Sequence, residues 1–334
     1  MEIPISLVEI TEKVGKDINL VQGPGGNISY KNENFMLIKA SGMKMSDVKQ
    51  KNIFVKTNHR RIANEIENDN YDPTKTYTTN NDCINPSIET SMHALMPHKY
   101  VLHVHCVNTL SWIVQENYLE KIACLLKGEN WGSVPYKKPG VFLAKEIKKE
   151  IKKRKLDIIL LSNHGLLVGA NTSEKVYEIT KRISEKLYVG QLKNNQVNFS
   201  EFDEYLLSKE YKLPKFNYVH NIAFSRFHYL IASQGDLFPD QIVFLKNGVS
   251  IIKNICDFKN IEKLSNNKRP VLLIPDKGIL VPKNFKEVNE NILLGLSMVI
   301  SRIPNKASIK YLTKNDRYEI LNWDLEKHRL KINS

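Results

Sequence analysis

Two hydrophobic periods alternate along the first 190 residues. Leu7, Ile10 and Val14 recur at helical spacing, so residues 5–17 predict a first amphipathic helix. The glycines of GPGG (23–26) interrupt it. Residues 27–30 and 35–40 then alternate like a hairpin that turns at 32–34, and NIFVKTN (52–58) predicts a third strand. HRRIANEIEN, from His59, predicts a polar helix or connection, and residues 71–81 a surface loop rich in Thr, Asn and Asp. A helix is expected to open at Pro86, a residue suited to a first turn. The run 100–106 is apolar, aromatic and β-branched enough for a buried strand. One or two helices follow over 108–127, with Leu110 and Trp112 as core positions, then a short strand and turn over 133–140. Residues 141–155 (VFLAKEIKKEIKKRK) place Val141, Leu143, Ile147 and Ile151 on one face of a basic helix. Strands over 157–161 (DIILL) and 166–170 precede a long helix capped by Ser173 and running towards Gln191.

The pattern changes at 194–215, which is polar and irregular. A boundary near 200–215 separates an expected catalytic domain, 1–205, from a small accessory domain, 215–334, of α/β or α+β type. In the second part QIVFL (241–245), residues 271–274 and residues 279–281 read as strands, with a tight Pro-Asp-Lys-Gly turn between the last two. Residues 288–303 predict an apolar-faced helix. Thr313 and Asp316 form a capping-box start to a last helix carrying Trp323. His220, His228 and His328 are scattered and read as structural.

Chemistry enters at His103 and His105. Strand side chains two apart share a face, so both imidazoles project into one space. Each carries polar nitrogens that need partners. A hydrogen-bonded core pair and a metal site fit these two residues equally. His164 tips the balance: it follows a second apolar run and precedes Gly165, where a tight turn ends a strand. Three histidines with an open position are the donor set of a catalytic metal site. Glu89 lies in the first turn of the helix that leads into the 103–105 strand, which returns its carboxylate towards the same place. It reads either as a dipole-stabilised N-terminal carboxylate or as a general acid/base, and the connection favours the second. His93, four residues on, is expected to be a structural hydrogen-bonder. The glycines of 23–26 can converge N–H groups on an anion, although ordinary turns explain them too. There is no GxGxxG between strand and helix and no GxxxxGK[ST], which argues against a dinucleotide fold and a nucleoside triphosphatase.

Composition changes this picture little. Forty-nine Lys and Arg against 36 Asp and Glu give a net charge of +13, but the lysines are spread out and read as solvated surface with a background field favouring anionic substrates. The basic 141–155 helix lacks the interleaved aromatics of a nucleic-acid reader, so no nucleic-acid partner is expected. Cys83, Cys106, Cys124 and Cys256 share no CxxC spacing and are expected to be reduced thiols. The start of the chain has no apolar signal core, and no apolar run approaches the ~18 residues of a membrane span. A cytoplasmic protein without a membrane partner is expected, in which the Asn-x-Ser/Thr triplets at Asn27, Asn171 and Asn198 are not glycosylated.

PSIETSMHALMPHKYVLHVH (86–105), LLSNHGLLVGA (160–170) and GPGGNISYK (23–31) followed by LIKASG (37–42) together resemble the signature regions of the class II aldolase/adducin family. Its metal-dependent members include fuculose-phosphate and rhamnulose-phosphate aldolases. The resemblance implies a three-layer α/β domain with a central, mainly antiparallel sheet flanked by helices. It implies a divalent cation, Zn2+ or another such as Mn2+, on His103, His105 and His164, with Glu89 moving the proton. It implies phosphate contacts at Gly26, Asn27, Ser41, Gly42 and Ser87. Pro24 departs from members with a hydroxyl residue near this loop, since proline offers neither hydroxyl nor N–H. The implied reaction cleaves or forms a keto-sugar phosphate through a metal-stabilised enediolate, giving dihydroxyacetone phosphate and an aldehyde, in a homotetramer. Related members run 4-epimerase, dehydratase or keto-acid phosphate decarboxylase chemistry, and adducin keeps the scaffold without catalysis. FPDQIVFL (238–245), VLLIPDKGILV and ILNWDLEKHRL also resemble, more loosely, the segment after the aldolase module in rhamnulose-phosphate aldolase/dehydrogenase fusions, without the dehydrogenase.

Overall fold

A computed structural model describes residues 3–68, 85–192, 195–207 and 209–333. The alternating segments build a seven-stranded sheet from β1 (Asn27–Lys31), β2 (Met36–Lys39), β3 (Phe54–Thr57), β4 (Tyr100–Val104), β5 (Trp131–Val134), β6 (Ile158–Leu161) and β7 (Gly165–Ala170). Their order is β3-β2-β1-β4-β7-β6-β5, antiparallel throughout except for the parallel β5–β6 pair. Both faces are covered. Leu102, Val104, Leu166 and Val168 pack with Leu7, Ile10 and Val14 of helix Ile5–Gly15 and with helices Val107–Ile113 and Ser173–Lys186. Val101, Ile159, Leu161 and Leu167 face the other way, onto Met92 of helix Thr90–Leu95 and Leu143 and Ile147 of helix Val141–Lys153. This is the expected three-layer α/β arrangement with a mainly antiparallel sheet.

A second sheet has the order β8-β11-β10-β9, built from β8 (Tyr211–Lys212), β9 (Val249–Ile251), β10 (Val271–Ile274) and β11 (Gly278–Pro282). Helix Glu287–Ile300 lies between the two halves. Leu293 and Leu296 share one apolar cluster with Leu110 and Trp112 of the first half and with Ile242 and Ile320 of the second. No helix among the described residues is long and apolar enough to cross a membrane.

Several elements differ from the sequence expectation. QIVFL is helical, not a strand: it belongs to helix Pro239–Phe244, which has Pro239 in its first turn, and Ile242, Val243 and Phe244 are all buried. A short apolar run enclosed on every side has no period to distinguish the two states, and the proline was the better signal. The helix expected at Pro86 starts at Thr90. Before it, Pro86 bridges Ala40, while Ser87 N–H donates to Lys39 O and Ser41 N–H to Asn85 O, so the segment prolongs the edge of β2. Thr172, not Ser173, caps the long helix, its Oγ1 accepting from Lys175 N–H. The Thr313–Asp316 capping box is present, but it opens helix Lys314–Leu321, and Trp323 precedes a separate helix, Asp324–Ile332. The 71–81 loop lies outside the described residues.

His220 is fully buried, and its Nδ1 accepts the Ile279 N–H at 3.0 Å. Burial lowers its pKa from 6.5 to about 4. The unfolded chain therefore binds this proton below about 6.5 and the folded chain only near 4, so acid favours unfolding across that interval. Denaturant midpoints should fall as pH drops from 6.5 to 4, and H220N should flatten that slope relative to the parent chain.

Candidate metal centre

Antiparallel pairing sets the site. Asn27 on β1 and Leu167 on β7 flank His103 across β4. His103 follows Val101 onto the face covered by helix Thr90–Leu95, and His105 continues the alternation just past the strand end. His164 sits in the turn joining β6 to β7, between Asn163, at φ +53°, and Gly165. A Cβ at position 165 would lie 2.5 Å from Val104 O and 3.0 Å from His103 Cε1, so this turn fits against β4 only as glycine. The Asn163 amide donates to Leu237 O at 2.9 Å and Lys310 O at 2.7 Å, which ties the turn to the second half of the chain.

The three rings meet. Centroid separations are 5.0 Å for His103–His105, 4.8 Å for His103–His164 and 5.6 Å for His105–His164, and each residue offers a donor atom within 4.8 Å of the others. His103 Nδ1 donates to Leu166 O at 3.1 Å, which leaves Nε2 with its lone pair. Glu89 joins them as the N-cap residue of helix Thr90–Leu95, although its side chain caps nothing. Its Oε1 lies 2.9 Å from His164 Nε2 and its Oε2 3.5 Å from His103 Nε2. Oε2 also accepts from Asn27 Nδ2 at 2.7 Å. His93 is a hydrogen-bonder, as expected: Nε2 meets Asn27 Oδ1 and Nδ1 lies 2.8 Å from Ser29 Oγ.

This arrangement fits a divalent ion. His103 Nε2, His105 Nε2 and His164 Nδ1 are buried without a hydrogen-bond partner, although buried polar atoms are almost always paired. Burial holds His103 well below its ordinary pKa, so its imidazole is neutral, as a ligand must be. Burial also pushes the Glu89 carboxyl up, but the imidazole cluster beside it, with His164 Nε2 at hydrogen-bond distance, holds it well below the usual carboxylate range. Three imidazole nitrogens are a common zinc donor set, and they also accept manganese.

A polar pocket opens from this cluster. Gly26, Asn27, Ser41, Gly42, Ser87 and Glu89 all line it, with His105 and His164. Gly26 and Gly42 have φ of +63° and +74°, and a Cβ at Gly26 would lie 2.9 Å from His103 O. Asn27, expected at a phosphate, has its amide committed to Glu89 and Ser87 Oγ. Four charged lining residues were missed in the sequence: Lys39, Asp240, Glu326 and Arg329. Lys39 is buried, donates to Pro24 O at 3.2 Å and Met43 O at 2.6 Å, and is lowered to about 7, chiefly by burial. The only local hint was a charged residue inside an apolar segment, as at Lys39 in MLIK and Asp240 in PDQIVF. Arg329 and Glu326 sit in an ordinary polar helix sequence and gave no signal.

The profile described as Class II Aldolase and Adducin N-terminal domain matches residues 6–187, more than half of the chain. The chain belongs to this family. The N-terminal class II aldolase domain of a conserved Thermoplasma acidophilum protein superposes with a TM-score of 0.50 at 28% identity, over 56% of this chain and 95% of that one. A sugar-phosphate aldolase from Thermotoga maritima aligns at 17% identity and a TM-score of 0.41, over 54% of this chain and 92% of that one. The curated relative, "Uncharacterized oxidoreductase YuxG" of Bacillus subtilis (strain 168), is 28% identical over 211 residues, 58% of this chain. The chain spans only 30% of that protein's length. All three histidines, Glu89 and the glycine turns lie inside the class II aldolase/adducin region, whereas Asp240, Glu326 and Arg329 lie beyond it.

N27A would strip Glu89 and His93 of a shared buried partner. It should cost about 1–3 kcal/mol in denaturant-unfolding free energy, the usual penalty for an orphaned buried polar group.

Proposed function

We propose that the chain is a divalent-metal-dependent aldehyde-lyase acting on a keto-sugar phosphate, and that it gives dihydroxyacetone phosphate and an aldehyde. The observation that carries this reading is the carboxylate of Glu89 set 2.9 Å from His164 Nε2 and 3.5 Å from His103 Nε2, at the floor of a pocket rimmed by glycine and serine turns. His103, His105 and His164 would hold the ion, with zinc favoured by the nitrogen donors and manganese second. When bound, such an ion acts as a Lewis acid on negative charge developing at a substrate carbonyl oxygen. The chain's own residues do the rest. In the joining direction ionised Glu89 takes the proton from the carbon beside the carbonyl, and in cleavage it returns that proton. Asn27 donates to Glu89 Oε2 and fixes the direction in which the carboxylate points. Gly26, Ser41, Gly42 and Ser87 line the side suited to a phosphate, and holding it there fixes which carbon faces Glu89. Residues 1–205 supply these groups, and the rest of the chain closes the pocket. A cytoplasmic homotetramer completes the reading.

A panel of phosphorylated ketoses, assayed with Zn2+ and with Mn2+, tests the proposal by product identity. Release of dihydroxyacetone phosphate supports it; epimerised or dehydrated products overturn it. E89Q should bind the metal yet turn over about 10²–10⁴-fold more slowly, the usual contribution of a positioned acid/base. H103A, H105A and H164A should each lose bound metal by elemental analysis, and full occupancy in all three would remove the ligand assignment.

A further inference from the structure

Asp240 is buried in the first turn of helix Pro239–Phe244, with 2% of its surface exposed. A buried carboxylate is costly unless both oxygens find partners. Oδ1 accepts from Arg329 Nη1 at 2.7 Å, and Oδ2 lies 3.0 Å from His105 Nδ1. Arg329 comes from helix Asp324–Ile332, is itself buried, and has its guanidinium carbon 5.2 Å from the centre of the Phe244 ring. With Asp240 facing Nδ1, the proton of a neutral His105 belongs on that nitrogen, and the buried, partnerless Nε2 faces the other two histidines. The glycine loop is shaped around this pair. A Cβ on Gly25 would lie 2.8 Å from His105 Nδ1 and 3.0 Å from Asp240 Oδ2, wedging them apart.

We infer that Asp240, held by Arg329, is the positioning residue that orients His105 towards the metal, so that helices beyond the family region complete the centre within one chain. This rests on the metal-centre reading above. A carboxylate on the far nitrogen fixes a ligand's tautomer and raises its basicity, and its loss typically weakens metal binding about 10–100-fold. A salt bridge that merely anchored the last helix would leave metal affinity unchanged.

The test uses the full chain, stripped of metal and titrated with Zn2+ against a chromophoric chelator, together with the visible spectrum of the Co2+-loaded protein. D240N should bind Zn2+ about 10–100-fold more weakly and shift the cobalt bands, and D240E should recover part of the affinity. G25A, which leaves both charges in place, should weaken binding in the same direction and keeps the inference testable if D240N fails to fold. Parent-like affinity and spectrum in D240N, or in G25A should D240N not fold, would overturn the inference and leave the metal centre standing. A parent chain that binds no divalent ion would overturn both.

Discussion

Three imidazoles and a carboxylate are enclosed together, and at least three of their polar atoms have no hydrogen-bond partner within the protein. A protein interior does not tolerate that arrangement unless something supplies the missing interaction. A cation does so in one step, taking lone pairs from the nitrogens and balancing the charge of Glu89. Much of the surrounding architecture follows from keeping these groups close and dry. The central sheet is covered on both faces, β4 lies between β1 and β7, and the His164 turn is pressed so tightly on β4 that position 165 has no room for a side chain.

The supporting hydrogen bonds have a consistent logic. Around the centre His103 Nδ1 is occupied by Leu166 O, Glu89 Oε2 by Asn27, Asn27 by His93, and His93 by Ser29. His103 Nε2 and His105 Nε2 stay bare. Polar side chains at 27 and 29 on β1 would be poor choices for a sheet face turned inward if packing were their purpose. They make sense as the frame that aims Glu89.

The parts of this site legible in the sequence were those governed by local period. The His-x-His pair is readable because strands alternate strictly, and the glycine turns because few other residues adopt positive φ. The helix-to-strand connection pointed to Glu89 and the resemblance added the turn residues, and these line one pocket. What escaped was set by distance along the chain. Asp240 and Arg329 are 89 positions apart, and His105 is farther still, so no window of sequence contains their meeting. The misread 241–245 segment has the same origin: a run buried on all sides carries no face, and only its neighbours decide between strand and helix. The 86–89 segment failed differently. Its backbone bonds go to the edge of β2, a tertiary commitment that overrides proline's preference for a first helical turn.

Asn163 has a consequence for how the molecule comes into being. Its amide holds carbonyls of Leu237 and Lys310, residues made long after the turn it stabilises. During synthesis the loop bearing His164 lacks these anchors until Leu237 and Lys310 have been made. The turn that carries His164 is thereby held from outside the first sheet, so its geometry depends on the second half of the chain being folded against it.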